Sequence, residues 1–248
     1  MIQEPLIFKK FPLVSAAQST RKGGISLAPF ESLNLGKSVG DKIENVEKNR
    51  EIFFRELGFE KSQAVFSHQI HDAQILLVDQ PGDFTGFDAQ ITNQKNICLA
   101  VSIADCTPIL IYDAKNEAIA AIHAGWKGTV ATIVTKTLQA MQLNFGSQGK
   151  HCFAYIGTCI SFENFEVNAD VSDHFLPQFK QFDSLKNKYF VDLKAANKAQ
   201  LLAFGLPEEH LEISEYCTVG NNDLFFSHRF EKGNTGRMLA GIGMKINE

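Results

Sequence analysis

The sequence lacks a strong excess of charge of one sign, which narrows the partners expected for the chain. Its 248 residues include 24 Lys and Arg and 28 Asp and Glu, giving a formal net charge of −4. A protein that binds nucleic acid or an anionic membrane usually presents a basic patch that neutralises phosphates. We therefore expect neither nucleic acid nor a membrane among its partners.

Long hydrophobic runs are absent as well. A helix that spans a bilayer needs about 20 consecutive apolar residues, and the sequence has no such stretch. The first residues, MIQEPLIFKKFPLV, carry an acid early, and no small-residue cleavage site follows them, so they do not resemble a signal peptide. Both features predict a cytoplasmic location.

Cysteine is present, but not as a disulfide framework. The chain has five cysteines, which lie far apart at Cys98, Cys106, Cys152, Cys159 and Cys217. An odd, scattered set does not suit the paired cysteines of small secreted domains, so we expect free thiols in a reducing compartment. All except Cys106 lie in or beside apolar strands and are expected to be small buried hydrophobic residues.

Hydrophobic periodicity predicts helices and strands mixed along one continuous domain, residues 1–248, without internal repeats. The expected helices cover residues 44–59, 125–146, 165–179 with a stop at Pro177, and 191–206 with Asp192 as N-cap. The expected strands fall within residues 64–79, 96–104, 108–113, 118–124 and 152–160. Because the two types do not alternate strictly, we expect the α+β class with a mixed sheet.

The most informative stretch is ADCTPILIYDAKNEAIAAIHAGWKGT, residues 104–129. Two runs that are apolar on both faces are joined by the short segment AKNE, which predicts neighbouring strands buried on both sides. Cys106 precedes the first run and His123 closes the second. If the strands pair through AKNE, the thiol and the imidazole lie at the same end of a hairpin, where side chains often reach a ligand-binding cleft.

A thiol and an imidazole within reach of each other allow two kinds of chemistry. They suit Zn(II) as ligands, and they also suit a nucleophile with its base. His71 lies in a predicted break between strands and offers a third ligand, which would leave one position of a tetrahedral zinc open for catalysis. The spacing matches no local zinc motif, so a surface His71, an inert buried Cys106 and a core His123 stay open as the alternative.

Two aspartates adjoin these candidate ligands. Asp105 precedes Cys106, and Asp72 follows His71. Either carboxylate would suit a general acid, a general base or the orienting partner of a histidine ligand. Turn capping is the alternative role for both.

Several residues suit the binding of an anion such as phosphate. Gly125 and Gly128 flank Trp126–Lys127 directly before a predicted helix, where backbone N–H groups favour anions. Arg21 and Arg237 stand close to turn glycines and suit a bidentate contact with phosphate or carboxylate. The alternatives are an ordinary strand-to-helix turn and surface arginines paired with acids.

Short motifs occur in order along almost the whole chain: STRKGGIS, SLNLG, GD at 40–41, NR at 49–50, QIH, DAQIT, ADCTPILIYD, AAIHAGWKGT, IGTCI, FEV, FFSHRF and TGRM. Together they resemble the YfiH-type laccase-domain family, also called the multicopper polyphenol oxidase family. Three positions differ from the family pattern, because Asp72 replaces a Gly, Thr158 a Pro and Phe165 a Tyr. None of these differences removes a candidate ligand.

The resemblance implies a zinc site formed by His71, Cys106 and His123. Asp105 is a further catalytic candidate because of its position beside Cys106. It also implies a four-layer α/β/β/α mixed β-sandwich, similar to cysteine-hydrolase-like toxins. The activities that accompany the family are phosphorolysis of adenosine, inosine, guanosine and methylthioadenosine, and deamination of adenosine. Hydrolysis of a wrongly built peptidoglycan precursor is a separate proposal for bacterial members.

Copper oxidation of phenols fits the sequence poorly. A four-copper oxidase needs about ten histidines, usually in His-x-His pairs, whereas this chain has seven histidines and no such pair. Copper in the site is therefore less favoured than zinc. An open zinc position suits deamination, and an anion site beside the sugar suits phosphorolysis.

We therefore expect a zinc-dependent purine nucleoside phosphorylase with adenosine deaminase activity. Its partners would be purine nucleosides and phosphate, and it would act as a monomer or homodimer. An amidase-like hydrolase of a peptidoglycan precursor is the first alternative. A non-catalytic protein whose metal only stabilises the fold is the second.

Overall fold

The computed structural model describes residues 1–246. The helices are α1 (Ile43–Leu57), α2 (Trp126–Val130), α3 (Ile133–Phe145), α4 (Ala169–Ser172) and α5 (Leu193–Ala203). The strands are β1 (Ile2–Gln3), β2 (Val14–Ser19), β3 (Ala64–His68), β4 (Ile75–Leu77), β5 (Gly82–Thr85), β6 (Ala89–Thr92), β7 (Cys98–Ile103), β8 (Thr107–Asp113), β9 (Ala118–Ala124), β10 (Cys152–Ile156), β11 (Glu166–Val167), β12 (Lys180–Asp183), β13 (Lys188–Val191), β14 (Leu211–Ile213) and β15 (Met238–Met244).

Two mixed sheets of six strands form the centre of the structure. The first has the order β1-β2-β15-β7-β3-β5 and the second the order β14-β10-β8-β9-β6-β4. In the first sheet β3 runs parallel to both β5 and β7, while β15 is antiparallel to both its neighbours. A third, small antiparallel sheet has the order β11-β13-β12 and shares no strand with the two large sheets.

The two large sheets and the helices stack in four layers, as the resemblance implied. Apolar side chains of both sheets, among them Leu99 and Leu110, share one buried cluster between the sheets. On the other face of the first sheet, α1 packs through Phe53 and neighbouring residues. On the other face of the second sheet, α3 and α5 pack through a cluster that includes Leu138. The expected α+β class and the α/β/β/α arrangement are therefore confirmed.

The predicted hairpin forms as the apolar runs indicated. Strands β8 and β9 are antiparallel, every residue of both is buried, and Pro108 lies opposite His123. Because Cys106 directly precedes β8, the thiol and the imidazole stand at the same end of the pair. The prediction of free, mostly buried cysteines is also confirmed within the described residues.

Two predicted helices differ from the observed structure. The helix expected over residues 125–146 is broken into α2 and α3, because Thr132 adopts a left-handed backbone with φ of 57°. The helix expected over residues 165–179 is wrong. That segment contains β11, the single turn α4 and a 3-10 turn at Pro177–Phe179, since pairing of β11 with β13 overrides its helical pattern. No helix within residues 1–246 is long and apolar enough to cross a membrane.

Helix α5 begins at the predicted N-cap and supports the segment that follows His123. The Asp192 carboxylate accepts a hydrogen bond from the Ala195 N–H at 2.8 Å. Further along α5, Asn197 Nδ2 donates to Thr129 Oγ1, and Gln200 Nε2 donates to the Thr129 carbonyl. The cap therefore helps to anchor α2, which directly follows β9.

Replacing this cap should destabilise the protein measurably. We expect Asp192→Ala to lower the free energy of unfolding by about 1 kcal/mol, because a first-turn N–H loses its acceptor. Urea unfolding followed by circular dichroism measures the change. The matched control, Asp192→Asn, retains an acceptor oxygen and should stay close to the wild type; equal losses in both variants would contradict the capping role.

Candidate metal centre and its cavity

The structure brings together the three residues that the sequence singled out as ligands. One side-chain ligand atom from each of His71, Cys106 and His123 lies within 4.8 Å of the others. His71 is exposed in the loop after β3, Cys106 is half-buried in the turn between β7 and β8, and His123 is buried in β9. Within residues 1–246 this is the one group of at least three His, Cys, Asp or Glu with such geometry.

A carboxylate that the sequence analysis did not assign organises this cluster. Asp88 is completely buried, and its Oδ1 accepts a hydrogen bond from His123 Nδ1 at 2.7 Å. It also accepts the backbone N–H groups of Ile70, His71 and Asp72 at 3.0–3.1 Å. The carboxylate can only accept when ionised, so Nδ1 of His123 carries the proton and Nε2 is free to act as a ligand.

The same carboxylate explains the unusual backbone of the His71 loop. His71 adopts a left-handed conformation with φ of 58°, which is uncommon for a residue with a Cβ. Three consecutive N–H groups turned toward one carboxylate compensate for this conformation. Asp88 lies in DAQIT, which contributed to the family resemblance. Nothing in that motif alone indicates that its aspartate binds His123 and the His71 loop.

The electrostatics of the cluster favour a thiolate beside an imidazolium in the metal-free protein. Burial raises the pKa of Cys106, but the neighbouring His123 and His71 outweigh it and lower that pKa to about 6. Burial lowers the pKa of His123, whereas Cys106 and Asp88 raise it to about 9. Burial likewise opposes ionisation of Asp88, and the hydrogen bond from His123 with those from the backbone lowers its pKa overall.

The cluster fits a metal ion in both chemistry and space. Two imidazoles and a thiolate are suitable ligands for zinc, and their ligand atoms lie within 4.8 Å of one another. A side chain at Gly125 would fill the space required, because its Cβ would lie 3.0 Å from His71 Nδ1 and 3.2 Å from Cys106 Sγ. The glycine therefore keeps room between the ligands.

Asp105 lies beside the cluster with its carboxylate already engaged. One oxygen accepts a hydrogen bond from Thr218 Oγ1 and the other from the Arg229 N–H, both at 2.6 Å. Its φ of 88° marks a sharp turn immediately before Cys106. These contacts indicate that Asp105 fixes the Cys106 turn to the loops near the C-terminus.

A cavity of about 600 Å³ opens in front of the three ligands. The aromatic residues Phe66, Phe84 and Phe165 contribute to its apolar wall. Its positively charged lining includes Arg50, Arg229 and Arg237. The combination of apolar surface with a few cations suits a small polar ligand that carries an aromatic ring.

Arg237 is the predicted anion-binding residue that the structure places on this cavity. Its Nη1 donates to the carbonyls of Thr235 and Gly236, which fixes the guanidinium. Burial lowers its pKa, and the negative charges of Asp105 and Cys106 oppose that shift. The positive charge of Arg237 therefore interacts with the negative charges of Asp105 and Cys106 at the candidate metal centre.

The structure does not bring Arg21 to this cavity. Its Nη2 forms an ion pair with Glu231 at 3.2 Å, Nη1 donates to the Asn222 carbonyl and Nε to the Glu31 carbonyl. The guanidinium also stacks 4.6 Å from the centre of the Phe226 ring. These partners account for the guanidinium, so Arg21 joins loops instead of facing the ligand space.

The turn containing Gly125, Lys127 and Gly128 does not line the cavity either. Gly128 packs behind the His71 loop, where a Cβ would approach the Asp72 carbonyl to 3.1 Å. Lys127 is exposed, with its Nζ 5.7 Å from the Trp126 ring. The expected phosphate cradle is thus a packing surface for the ligand loop, and α2 is only a five-residue helix.

Several residues that line the cavity had no site role in the sequence analysis, where His68 was weighed as a further ligand and packing was favoured. Arg50 and Arg229 line the cavity, as do His68 and His228. Their positions depend on contacts between distant segments. The NR motif at residues 49–50 and FFSHRF at 225–230 marked these segments without indicating a role for the side chains.

Removing the Asp88 charge should weaken metal binding. We expect Asp88→Asn to lower the affinity for zinc about 10- to 100-fold, because the amide has no charge and one acceptor oxygen, which cannot serve both His123 and the His71 loop. Competition with a chromophoric chelator measures the affinity, and circular dichroism monitors the fold. Asp79→Asn, at an exposed position, serves as the control; equal affinities in all three proteins would argue against this role.

The metal-free protein should contain an unusually acidic thiol. The thiolate is the reactive form, so we expect alkylation of Cys106 by iodoacetamide to remain fast down to about pH 6 and to fall below it. Peptide mass spectrometry after a pH series measures the midpoint for Cys106. A midpoint near the ordinary value of about 8.5 would show that the histidines do not stabilise the thiolate.

Comparisons with known proteins agree with this arrangement. The family described as multi-copper polyphenol oxidoreductase laccase matches residues 15–245. A protein of Bacteroides thetaiotaomicron named purine nucleoside phosphorylase is 37% identical, over 92% of this chain and 91% of its own length. Purine nucleoside phosphorylase YlmD of Bacillus subtilis is 36% identical, over 94% of this chain and 89% of its own length.

Solved structures share the fold over almost the whole chain. YlmD from Geobacillus stearothermophilus superposes with a TM-score of 0.90 at 33% identity, covering 96% of this chain and 94% of its own. The hypothetical protein YfiH of Bacillus licheniformis gives a TM-score of 0.88 at 32% identity, covering 94% and 93%. The resemblance recognised in the motifs is confirmed, and the chain belongs to the family described as multi-copper polyphenol oxidoreductase laccase.

Proposed function

We propose that the chain is a zinc-dependent purine nucleoside phosphorylase that cleaves adenosine, inosine, guanosine and methylthioadenosine with phosphate, and that it also deaminates adenosine. The observation that carries the proposal is the convergence of His71, Cys106 and His123 on the wall of a cavity that also contains Arg237. The names of the relatives from Bacteroides thetaiotaomicron and Bacillus subtilis support the same activity.

Phosphorolysis exchanges one bond at the sugar for another. The bond from C1′ to the purine nitrogen breaks, a bond from C1′ to a phosphate oxygen forms, and the base leaves with its bonding electrons and takes up a proton. The sugar acquires positive charge in the transition state, so a positioned phosphate stabilises it. Arg237 would position the phosphate, and the aromatic wall at Phe66, Phe84 and Phe165 would bind the base and sugar.

A zinc ion held by the three ligands would supply Lewis acidity, which suits both departure of a purine base and attack of water at purine C6. The residues of the chain prepare that site. Asp88 orients His123 and shapes the His71 loop, while Asp105 fixes the Cys106 turn from the other side. We propose that Asp105 acts through this positioning, since its oxygens are occupied by donors.

Oxidation of phenols by four copper ions is less well supported than the nucleoside reaction. One three-ligand group occurs within residues 1–246, whereas that chemistry requires a blue-copper centre and a trinuclear centre. Copper could occupy the His-Cys-His group, but a single ion would not reproduce the multi-copper reaction.

A second candidate function rests on the line formed by Cys106, His123 and Asp88. A thiol, a histidine and a buried carboxylate that orients it form the arrangement of a nucleophile activated by its base. Such a group would suit an amidase-like hydrolase acting on a peptidoglycan precursor. In that case Cys106 Sγ would attack the amide carbonyl carbon instead of acting as a ligand, the C–N bond would break as His123 gives a proton to the leaving amine, and water would then hydrolyse the thioester.

Product analysis separates these activities directly. Purified zinc-loaded protein is incubated with adenosine, with and without phosphate, and the products are resolved by chromatography. We expect adenine and ribose 1-phosphate only when phosphate is present, and inosine in either case. Formation of neither product would count against the nucleoside reaction.

Substitution of Cys106 distinguishes a ligand from a nucleophile. We expect Cys106→Ala to lose zinc and to reduce turnover about 100-fold or more, while Cys106→Asp, which can still bind zinc, retains part of both. Zinc content and phosphate-dependent adenosine cleavage are measured on the same preparations. An inactive but zinc-loaded Cys106→Asp, with a covalent substrate adduct in the wild type, would favour the nucleophile; full activity of the metal-free wild type would contradict the zinc proposal.

A further inference from the structure

Arg50 is a buried cation that the reaction described above does not use. It lies on α1, only 6% of its surface is exposed, and it lines the same cavity as the three candidate ligands. Burial of a guanidinium is costly unless charge or hydrogen bonding compensates. The hydrogen bonds and ion pairs of the Arg50 side chain therefore indicate whether its charge is compensated within the protein.

The guanidinium has few partners in the protein. Its Nε donates to the Leu35 carbonyl at 2.9 Å, and its flat face lies over Phe66, with 4.1 Å between the guanidinium carbon and the ring centre. Stacking uses the face of the group and leaves the N–H donors at its edge available. Of the five donors, one is bonded within the part of the chain that the structure describes.

The nearby acids are engaged with lysines. Glu47 pairs with Lys37 at 3.0 Å and with Lys61 at 2.6 Å, and Asp83 pairs with Lys37 at 3.5 Å. Among the ion pairs formed by residues 1–246, none joins a carboxylate oxygen to Arg50 within 4.0 Å. Burial lowers the pKa of Arg50, and the more distant charges of Glu47 and Asp83 only partly oppose this.

The terminal nitrogens of Arg50 are open to the cavity. Within the described residues, the buried side-chain nitrogen and oxygen atoms without a hydrogen-bond partner belong to Thr107, Ser147 and Asn197. Arg50 is not in that group, although its terminal nitrogens have no bond within the described chain. These donors therefore meet the open space that the cavity provides.

Arg50 and Arg237 both contact the same short segment, residues 35–36. The Leu35 carbonyl accepts from Arg50, and the Leu35 N–H donates to the Arg237 carbonyl at 2.9 Å. The next residue, Gly36, permits close packing, because a Cβ there would lie 2.6 Å from Arg237 Cγ. Both arginines line the cavity, and among residues 1–246 neither forms an ion pair with a carboxylate within 4.0 Å.

We propose that Arg50 binds an anionic phosphate group inside this cavity through the free edge of its guanidinium. The flat, two-pronged edge of arginine matches two oxygens of a phosphate, and Arg237 would contact a third. The choice of phosphate among anions rests on the proposed phosphorolysis. The group is either inorganic phosphate or a phosphate carried by the nucleoside ligand, and the chemistry recognised by Arg50 is the same.

The first test measures binding of inorganic phosphate alone, without nucleoside. Isothermal titration of the zinc-loaded protein compares the wild type with Arg50→Met and Arg50→Lys. We expect Arg50→Met to weaken phosphate binding at least about 10-fold, because hydrogen bonds between charged groups contribute strongly to the free energy of binding. Arg50→Lys should be intermediate, because lysine keeps the charge but not the two parallel N–H donors of the guanidinium. Arg55→Met, which removes an exposed arginine of the same helix, is the matched control and should bind as the wild type.

A stability measurement separates this role from a structural one. Without phosphate, Arg50→Met should unfold at the same or a higher temperature than the wild type, because an uncompensated buried charge is removed. Added phosphate should raise the unfolding temperature of the wild type and of Arg55→Met, but not that of Arg50→Met. Strong destabilisation of Arg50→Met in phosphate-free buffer, with its phosphate response retained, would mean that the guanidinium serves the fold, and would overturn the proposal.

The second test identifies the source of the phosphate. Adenosine and adenosine 5′-monophosphate are titrated into the wild type and Arg50→Met. Loss of inorganic phosphate binding in the variant supports the free ion, whereas loss of only the preference for the monophosphate supports a phosphate on the ligand. If the variant retains both inorganic phosphate binding and that preference, Arg50 is not an anion site.

Steady-state kinetics separate the failure of this inference from the failure of the proposed function. If Arg50 governs phosphate binding but no nucleoside is cleaved, the anion site stands and the phosphorylase assignment fails. If nucleosides are cleaved, and Arg50→Met keeps both the KM for phosphate and the preference for the monophosphate, the assignment stands and the anion site fails. When both hold with the free ion as the ligand, the KM for phosphate rises at least about 10-fold in Arg50→Met.

Discussion

The buried carboxylate of Asp88 is the constraint on which the site depends. It stands immediately before β6 of the second sheet and accepts the N–H groups of the loop that leaves β3 of the first. It also accepts a hydrogen bond from Nδ1 of His123 in β9. One charged group therefore fixes two candidate ligands from two sheets. Because the group is buried, loss of the carboxylate would be costly, since each of these N–H groups would be left without an acceptor.

The position of Cys106 follows from the way in which the chain passes between the sheets. Strand β7 belongs to the first sheet and β8 to the second, so the three residues between them make the crossing. Asp105 takes a left-handed backbone within that crossing, and its carboxylate is anchored to Thr218 and Arg229. The thiol is thus presented at the joint edge of both sheets, where the ends of β3 and β9 bring the two histidines.

The parts of this arrangement that depend on neighbouring residues could be predicted from the sequence, and the parts that depend on distant contacts could not. Apolar runs and the short AKNE segment were enough to pair β8 with β9 and so to bring Cys106 near His123. His71 was a candidate third ligand from its position in a predicted break between strands, and the family resemblance then implied that it joins them. Arg21 and Arg237 looked alike as arginines close to glycines, yet Glu231 engages one and the cavity receives the other, because the choice depends on where distant loops pack.

The distribution of charge in the cavity bears on its chemistry. At the ligand cluster of the metal-free protein, Cys106 and Asp88 lie beside His123, whose pKa they raise. In the cavity lining, the positive charges of Arg50 and Arg237 have no carboxylate partner within 4.0 Å among residues 1–246. A neutral phenol would leave that positive charge uncompensated, whereas a phosphate beside a neutral nucleoside would balance it. The electrostatics of the cavity therefore favour phosphoryl-containing substrates over phenols, even though the family description refers to phenol oxidation.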